Sequence, residues 1–244
     1  MWDIALNCKT QKHGAIMKAI IKYEDDAILV IHKPAGIATE TARLGQADVV
    51  SELKNYLKAK GKGTYLGMIH RLDQPVEGLL VFAKTPEAAK ILTKQLENGT
   101  LKKSYAALVS RTGDKSDKQG ELEDYLLKDS RTNLSRVVAA GTQGAKKAKL
   151  SWKLLHDIEK EEVAYSLIEV EIFTGRHHQI RVQMSHAGMP LLGDSKYGNE
   201  ASQKLTEKLG IRHTALLANR LSVIHPVTKE RMQFEISYPK EWQL

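Results

Sequence analysis

The chain has 244 residues, 42% hydrophobic and 27% charged, with a formal net charge of +8 and a sequence pI of about 9.3. That length supports a sizeable core and the balance excludes general disorder, while the cationic excess favours a polyanionic partner, since each phosphate neutralised by Lys or Arg releases counterions. The single cysteine, Cys8, excludes an internal disulfide and a multi-cysteine zinc site, and no apolar run is long enough for a membrane-spanning helix.

The opening "MWDIALNCKTQKHG" lacks the charged start and apolar stretch of a signal peptide, so a reducing, cytoplasmic setting is expected. Residues 1–20 read as a short extension ahead of a single domain over 21–244. "AILVIHKPAGIAT", Ala27 to Thr39, predicts a buried strand ended by a Pro-Ala-Gly turn, because Pro34 donates no hydrogen bond and Gly36 tolerates positive φ. Val49, Val50, Leu53 and Leu57 carry helical spacing, closed by lysines and Gly61. Gly78 to Lys84 reads as a second strand. "TPEAAKILTKQLENG" follows as a helix, with Thr85 as cap, Pro86 at the first position and Gly99 beyond the end.

From there "KKSYAALVS", "LSRVVAA", "AKLSWKLLHD" and "EVAYSLIEVEIF" alternate enough to predict antiparallel strands. The charged "RTGDKSDKQGELED", Arg111 to Asp124, reads as an exposed loop. Arg176 to His186 reads as a helix whose Ile180, Val182 and Met184 fit the period only in part. "ASQKLTEKLG" is a short polar helix, and two more strands complete the chain. Helices mixed with a large, mainly antiparallel sheet define an α+β class.

Three places carry residues suited to chemistry. In "MIHRLDQPVEGLLVFAKT", Asp73 stands two residues after Arg71; in an extended segment both project to one side. A neighbouring cation keeps a carboxylate ionised, as attack on carbon or stabilisation of a cationic sugar requires. From these residues alone, a turn aspartate ahead of Pro75 is the favoured reading. In "FTGRHHQIRVQMSHAGMPLLGDSKYG", Arg176 and Arg181 are placed to bind phosphate or to pair with a buried carboxylate. His177, His178 and His186 lack acidic or thiol partners at metal spacing, so no metal is expected. Tyr105 in "KKSYAALV" offers a stacking surface, or simply a core ring.

In this order the blocks resemble the RluA family of pseudouridine synthases, across most of the chain. The match runs from "DDAILVIHKPAGIAT" through His70-Arg71-Leu72-Asp73 to Gly78-Leu79-Leu80-Val81, "KKSYAALV", "TGRHHQIRVQMSHAGMPLLGD" and "LLANRLSVIHP". The resemblance implies a pseudouridine synthase fold, with a mixed, mainly antiparallel sheet flanked by helices around a catalytic cleft. It implies isomerisation of uridine in structured RNA (rRNA or tRNA) by a catalytic aspartate with base flipping, without a cofactor. Carried over, Asp73 is the catalytic aspartate, Arg71 fills the space left by the flipped uridine, Tyr105 stacks on the uracil, and Arg181 salt-bridges Asp73. His70, Leu72, Lys103, Arg176, His178 and Gln179 are assigned to substrate or RNA contact.

Val76-Glu77 replaces the family's usual Thr-Ser, and Leu217 stands where a His usually precedes the alanine; Glu77 is expected to face solvent. No S4-like RNA-binding domain is expected ahead of the first strand, which leaves substrate choice to the catalytic domain, as a monomer. Two other readings stand beside this one. An RNA-binding protein without activity needs no buried carboxylate, and a nucleoside or glycoside hydrolase would pair Asp73 with Glu77.

Overall fold

The computed structural model describes residues 19–41, 45–111, 117–160 and 163–242; Cys8, most of the 1–20 extension and residues 112–116 of the expected charged loop lie outside them. The elements run β1 (Ile20–Glu24), β2 (Ile28–Lys33), α1 (Val49–Ala59), β3 (Gly67–Met68), β4 (Glu77–Ala83), α2 (Pro86–Glu97), β5 (Lys102–Val109) and β6 (Gln119–Asp129). They continue with β7 (Leu134–Val138), β8 (Lys146–Lys160), β9 (Val163–Ile172), α3 (Gln179–His186), α4 (Glu200–Leu209), β10 (Leu216–Ile224) and β11 (Arg231–Glu235). Among the described residues, the eleven strands join one sheet ordered β1-β2-β4-β10-β5-β9-β8-β6-β7, with β11 beside β10 and β3 beside β4. The β4–β10 pair is parallel and the other pairs are antiparallel, so the fold is α+β.

The central strands are apolar at successive positions because both faces of the sheet are covered. Leu80 and Phe82 of β4, with Tyr105 and Ala107 of β5, pack on the face that also receives Val49 and Leu53 of α1 and Ile180 and Met184 of α3. Leu79, Val81, Ala106 and Leu108 face the other way, onto Ala88 and Leu92 of α2. Each large side chain buried this way contributes about 1.5–3 kcal/mol relative to exposure. Local signals set the helix starts. Asp48 caps α1 by accepting from the Ser51 amide at 2.8 Å, and Thr85 caps α2 by accepting from the Ala88 amide at 3.1 Å.

The charged segment is corrected in part: from Gln119 onward it is strand β6, paired with β8 from Gln119 to Leu126. Its composition hides this because outward Glu121 and Glu123 are matched across the sheet by Lys149 and Lys147, at 2.9 and 2.7 Å. Strands β1 and β3 also escaped the pattern, one for its mixed exposure and the other for being two residues long. Helix α3 starts at Gln179, since His178 adopts φ +55. Its apolar period is weak because residues 179–184 are buried on every side, Arg181 and Gln183 included.

The parallel β4–β10 ladder pairs Leu217 with Glu77 and Ala218 with Gly78. At Gly78, φ is +145 and a Cβ would lie 2.5 Å from the Ala218 Cβ and 2.6 Å from its backbone nitrogen. Only glycine fits that approach. Gly78→Ala should therefore lower stability by about 2–5 kcal/mol, strain and overpacking together. Gly45→Ala, where no atom lies within 4 Å of the added carbon, should cost about 1–3 kcal/mol from positive φ alone. Urea unfolding of the two variants measures the difference.

Candidate active site

The segment from His70 to Val76 connects β3 to β4 and is held from both sides. Leu72 and Val76 are buried in the face that holds Tyr105. The Thr39 hydroxyl donates to the Leu72 carbonyl at 2.8 Å and accepts from the Leu72 amide at 3.2 Å. The Val76 amide donates to the Asp73 carbonyl, and the Gly36 amide to the Gln74 carbonyl. Lys33, fully buried, donates from Nζ to the carbonyls of Ile37 (2.8 Å), Pro34 (3.1 Å) and Gln74 (3.3 Å). Burial lowers the Lys33 ammonium to about 8, against the opposing pull of Asp73 and Glu77. Lys33 thus ties the Pro-Ala-Gly turn to the Asp73 turn, and Asp73 alone in this stretch offers its carboxylate outward, 28% exposed.

Across from Asp73, α3 presents Arg181. Its side chain is 3% exposed, and its Nη1 donates to Asp73 Oδ2 at 3.0 Å. The other edge of the same guanidinium grips Asp194 in a two-pronged pair, Nε to Oδ2 and Nη2 to Oδ1, both 2.7 Å. Asp194 is fully buried and accepts further from the amides of Lys196 and Tyr197. Desolvation works against the Arg181 charge, but Asp194 and Asp73 outweigh it and hold its pKa above the ordinary value. His178 places Nε2 at 3.6 Å from Asp73 Oδ2 and Nδ1 at 2.7 Å from the Tyr197 hydroxyl. Burial, with the cations of Arg181 and Lys196, lowers His178 to about 4 despite Asp73.

Tyr105 projects from β5 on the same face. Burial first, and then the Asp73 charge, push its hydroxyl well above the usual tyrosine value, so it stays protonated. Lys103, two residues earlier, is half-buried and lowered to about 8 by desolvation. Arg71 and Arg176 are exposed, and Arg176 Nε also donates to the Lys147 carbonyl.

Other expected contacts are corrected. Leu72 is buried, and Gln179 is buried with its amide spent on Thr174, Arg176 and the Lys149 carbonyl, closing the entry to α3. His70 is buried too; its Nε2 accepts from the Val81 amide, and desolvation keeps it neutral. Such side chains have nothing to offer a phosphate. His178 is turned toward Asp73 rather than outward. Glu77 does not face solvent freely, because its Oε1 lies 2.7 Å from His32 Nε2. His186 lies 3.8 Å from Asp124, away from the other two, while His177 stacks on His178 with its nitrogens on Ser135 and Asn133, so the three do not converge on one point.

Sequence reasoning missed Lys33, Asp194 and Tyr197. The Gly-Asp and the glycine-punctuated stretch to Gly198 marked a turn, but nothing in the spacing says that Asp194 folds back onto Arg181.

A family model described as RNA pseudouridylate synthase matches residues 27–186. The uncharacterized RNA pseudouridine synthase YhcT of Bacillus subtilis (strain 168) is 37% identical over 222 residues, covering 91% of this chain and 69% of that protein. The tRNA pseudouridine synthase C of Haemophilus ducreyi is 31% identical over 239 residues, 93% of this chain and 94% of that one. The ribosomal large subunit pseudouridine synthase D of Zymomonas mobilis is 33% identical over 232 residues, 92% and 70% respectively. Among solved structures, human RNA pseudouridylate synthase domain containing 1 superposes with a TM-score of 0.72 at 20% identity, covering 94% of this chain and 87% of that one, which speaks for the fold.

Arg181→Leu should cost about 3–5 kcal/mol by stranding the buried Asp194, whereas Asp73→Asn should cost far less because Asp73 is partly solvated. Chemical denaturation of both variants checks the order. His178 also predicts a pH effect. Its folded value near 4 lies below the ordinary value near 6.5, so the unfolded chain binds the extra proton between them. Its contribution is complete above about pH 6.5 and is lost as pH falls toward 4, by up to about 3 kcal/mol. His178→Gln should lose less stability than the parent between pH 7 and pH 4.5, read by urea unfolding at each.

Proposed function

The chain belongs to the RNA pseudouridylate synthase family, and from that premise we propose how its own residues carry out the isomerisation. A pseudouridine synthase converts uridine in RNA to its C5-linked isomer. The N1–C1′ bond breaks, the uracil turns in place, C5 bonds to C1′, the C5 proton is lost and N1 gains one, so the mass of the RNA is unchanged. The substrate is a uridine in structured rRNA or tRNA, and residues 21–244 act as one catalytic domain.

One observation carries the assignment of roles. Asp73 is the exposed carboxylate of a rigid turn, braced at 3.0 Å by a buried guanidinium, on the face of the sheet that holds Tyr105. In this reading Asp73 acts on the ribose while Arg181, 3.0 Å away, holds it aimed. A uracil anion held against the edge of Tyr105 is kept from water, which favours rejoining over release. Flipping the uridine costs on the order of a few kcal/mol, least in a loop or bulge. Exposed Arg71, two residues from Asp73, offsets part of that cost by stacking in the vacated place and meeting phosphate. Arg176 and half-buried Lys103 add cationic contacts. A hydrolase with Asp73 and Glu77 as its carboxylate pair is disfavoured, since Glu77 is engaged by His32.

Nucleoside mass spectrometry of rRNA and tRNA transcripts after incubation tests the reading. The wild-type protein should raise pseudouridine without releasing uracil, and Asp73→Asn should abolish the gain while binding RNA nearly as well. Free uracil would point to hydrolysis, and no gain on either RNA would leave a binding protein.

A further inference from the structure

We propose that Tyr197 and His178 are positioning residues that orient Asp73: the Tyr197 hydroxyl fixes His178 as the Nε2–H tautomer, which directs that N–H at Asp73 Oδ2 and leaves Oδ1 to meet the ribose. The inference rests on the catalytic role given to Asp73 above.

The tautomer follows from counting protons. The Ser135 amide, which can only donate, lies 2.8 Å from the Tyr197 hydroxyl oxygen, so that oxygen accepts there. Tyr197 has one proton of its own, and His178 Nδ1 at 2.7 Å is its other close partner. Were Nδ1 protonated instead, the Tyr197 hydrogen would find no acceptor among the described residues. A bare Nε2 lone pair would also face the Asp73 carboxylate at 3.6 Å. With Tyr197 donating to Nδ1, both conflicts vanish, because the neutral ring then carries its hydrogen on Nε2.

The ring has little freedom to do anything else. His178 sits at φ +55 immediately before α3, and its side chain is 6% exposed. His177 stacks on it with centroids 3.7 Å apart, and Tyr197 meets it edge-on at 79°. Asp73 Oδ2 therefore faces two donors, Arg181 Nη1 at 3.0 Å and His178 Nε2 at 3.6 Å, while no donor among the described residues reaches Oδ1. The 3.6 Å separation is longer than a formed hydrogen bond; closure by a few tenths of an ångström on substrate binding would complete it.

The test joins a spectroscopic readout to kinetics. Nitrogen NMR of protein labelled in histidine should show, for His178 near neutral pH, a protonated Nε2 and an unprotonated, hydrogen-bonded Nδ1. Tyr197→Phe keeps the ring beside Arg181, 5.2 Å from its guanidinium carbon, and should keep the fold. It should lose the Nδ1 hydrogen-bond signature and lower kcat by about 10- to 100-fold with KM for RNA unchanged. His178→Gln, whose amide can donate in place of Nε2, should retain more activity than His178→Leu. A wild-type ring protonated on Nδ1, an unchanged kcat in Tyr197→Phe, or a loss confined to KM would each overturn the proposal. The tautomer is read without any turnover, so an inactive wild-type protein would sink the functional reading and leave the tautomer to the spectrum.

Discussion

The guanidinium of Arg181, shared between two carboxylates, is the contact on which the site depends. A buried cation is costly to desolvate, and this one is retained because Asp194 saturates one edge with a bidentate pair while Asp73 takes the remaining nitrogen. The two acids have different surroundings. Asp194 is sealed and held by backbone amides, so it anchors Arg181; Asp73 is partly solvated, so it can be approached. The first six residues of α3, Gln179 to Met184, are all buried, and this keeps the Arg181 pairs away from water.

The opposite wall is set by the sheet. Asp73 precedes β4, and β4 meets β10 so closely at Gly78 that no side chain is accommodated there. Just before it, Lys33 draws three carbonyls together and fixes the turn from below. His70 fills the place of a strand partner by accepting from the Val81 amide. Packing thus turns a charged loop into a fixed platform, and a carboxylate held still can act on a sugar without first being ordered.

Electrostatics divide the neighbourhood by depth. Arg181 and Lys33 are buried beside Asp73 and Glu77, so their charge is spent locally. Arg71 and Arg176 remain outside, where the chain's excess of cations can meet a polyanion. Exposed cations and the buried support of the carboxylate are therefore different basic residues, although the two arginines of the Gly175–Arg181 block stand only five positions apart.

The residue types and their order were enough to place the α+β class, the cap of α2, the central strands, and Asp73, Tyr105 and Arg181 as the residues to examine. These are local matters: apolar period, capping side chains and ordered blocks are written within a few residues of one another. Strand β6 was hidden because its outward acids find their lysine partners on another strand, and the start of α3 because one residue adopts positive φ. The separation of His70, Leu72 and Gln179 from the exposed Arg71 and Arg176 was decided by depth, which spacing does not encode. Lys33, Asp194, Tyr197 and the His32–Glu77 pair became part of the site only when chain segments met. A hydrogen bond or ion pair needs two groups within a few ångströms, and that proximity is a property of the fold.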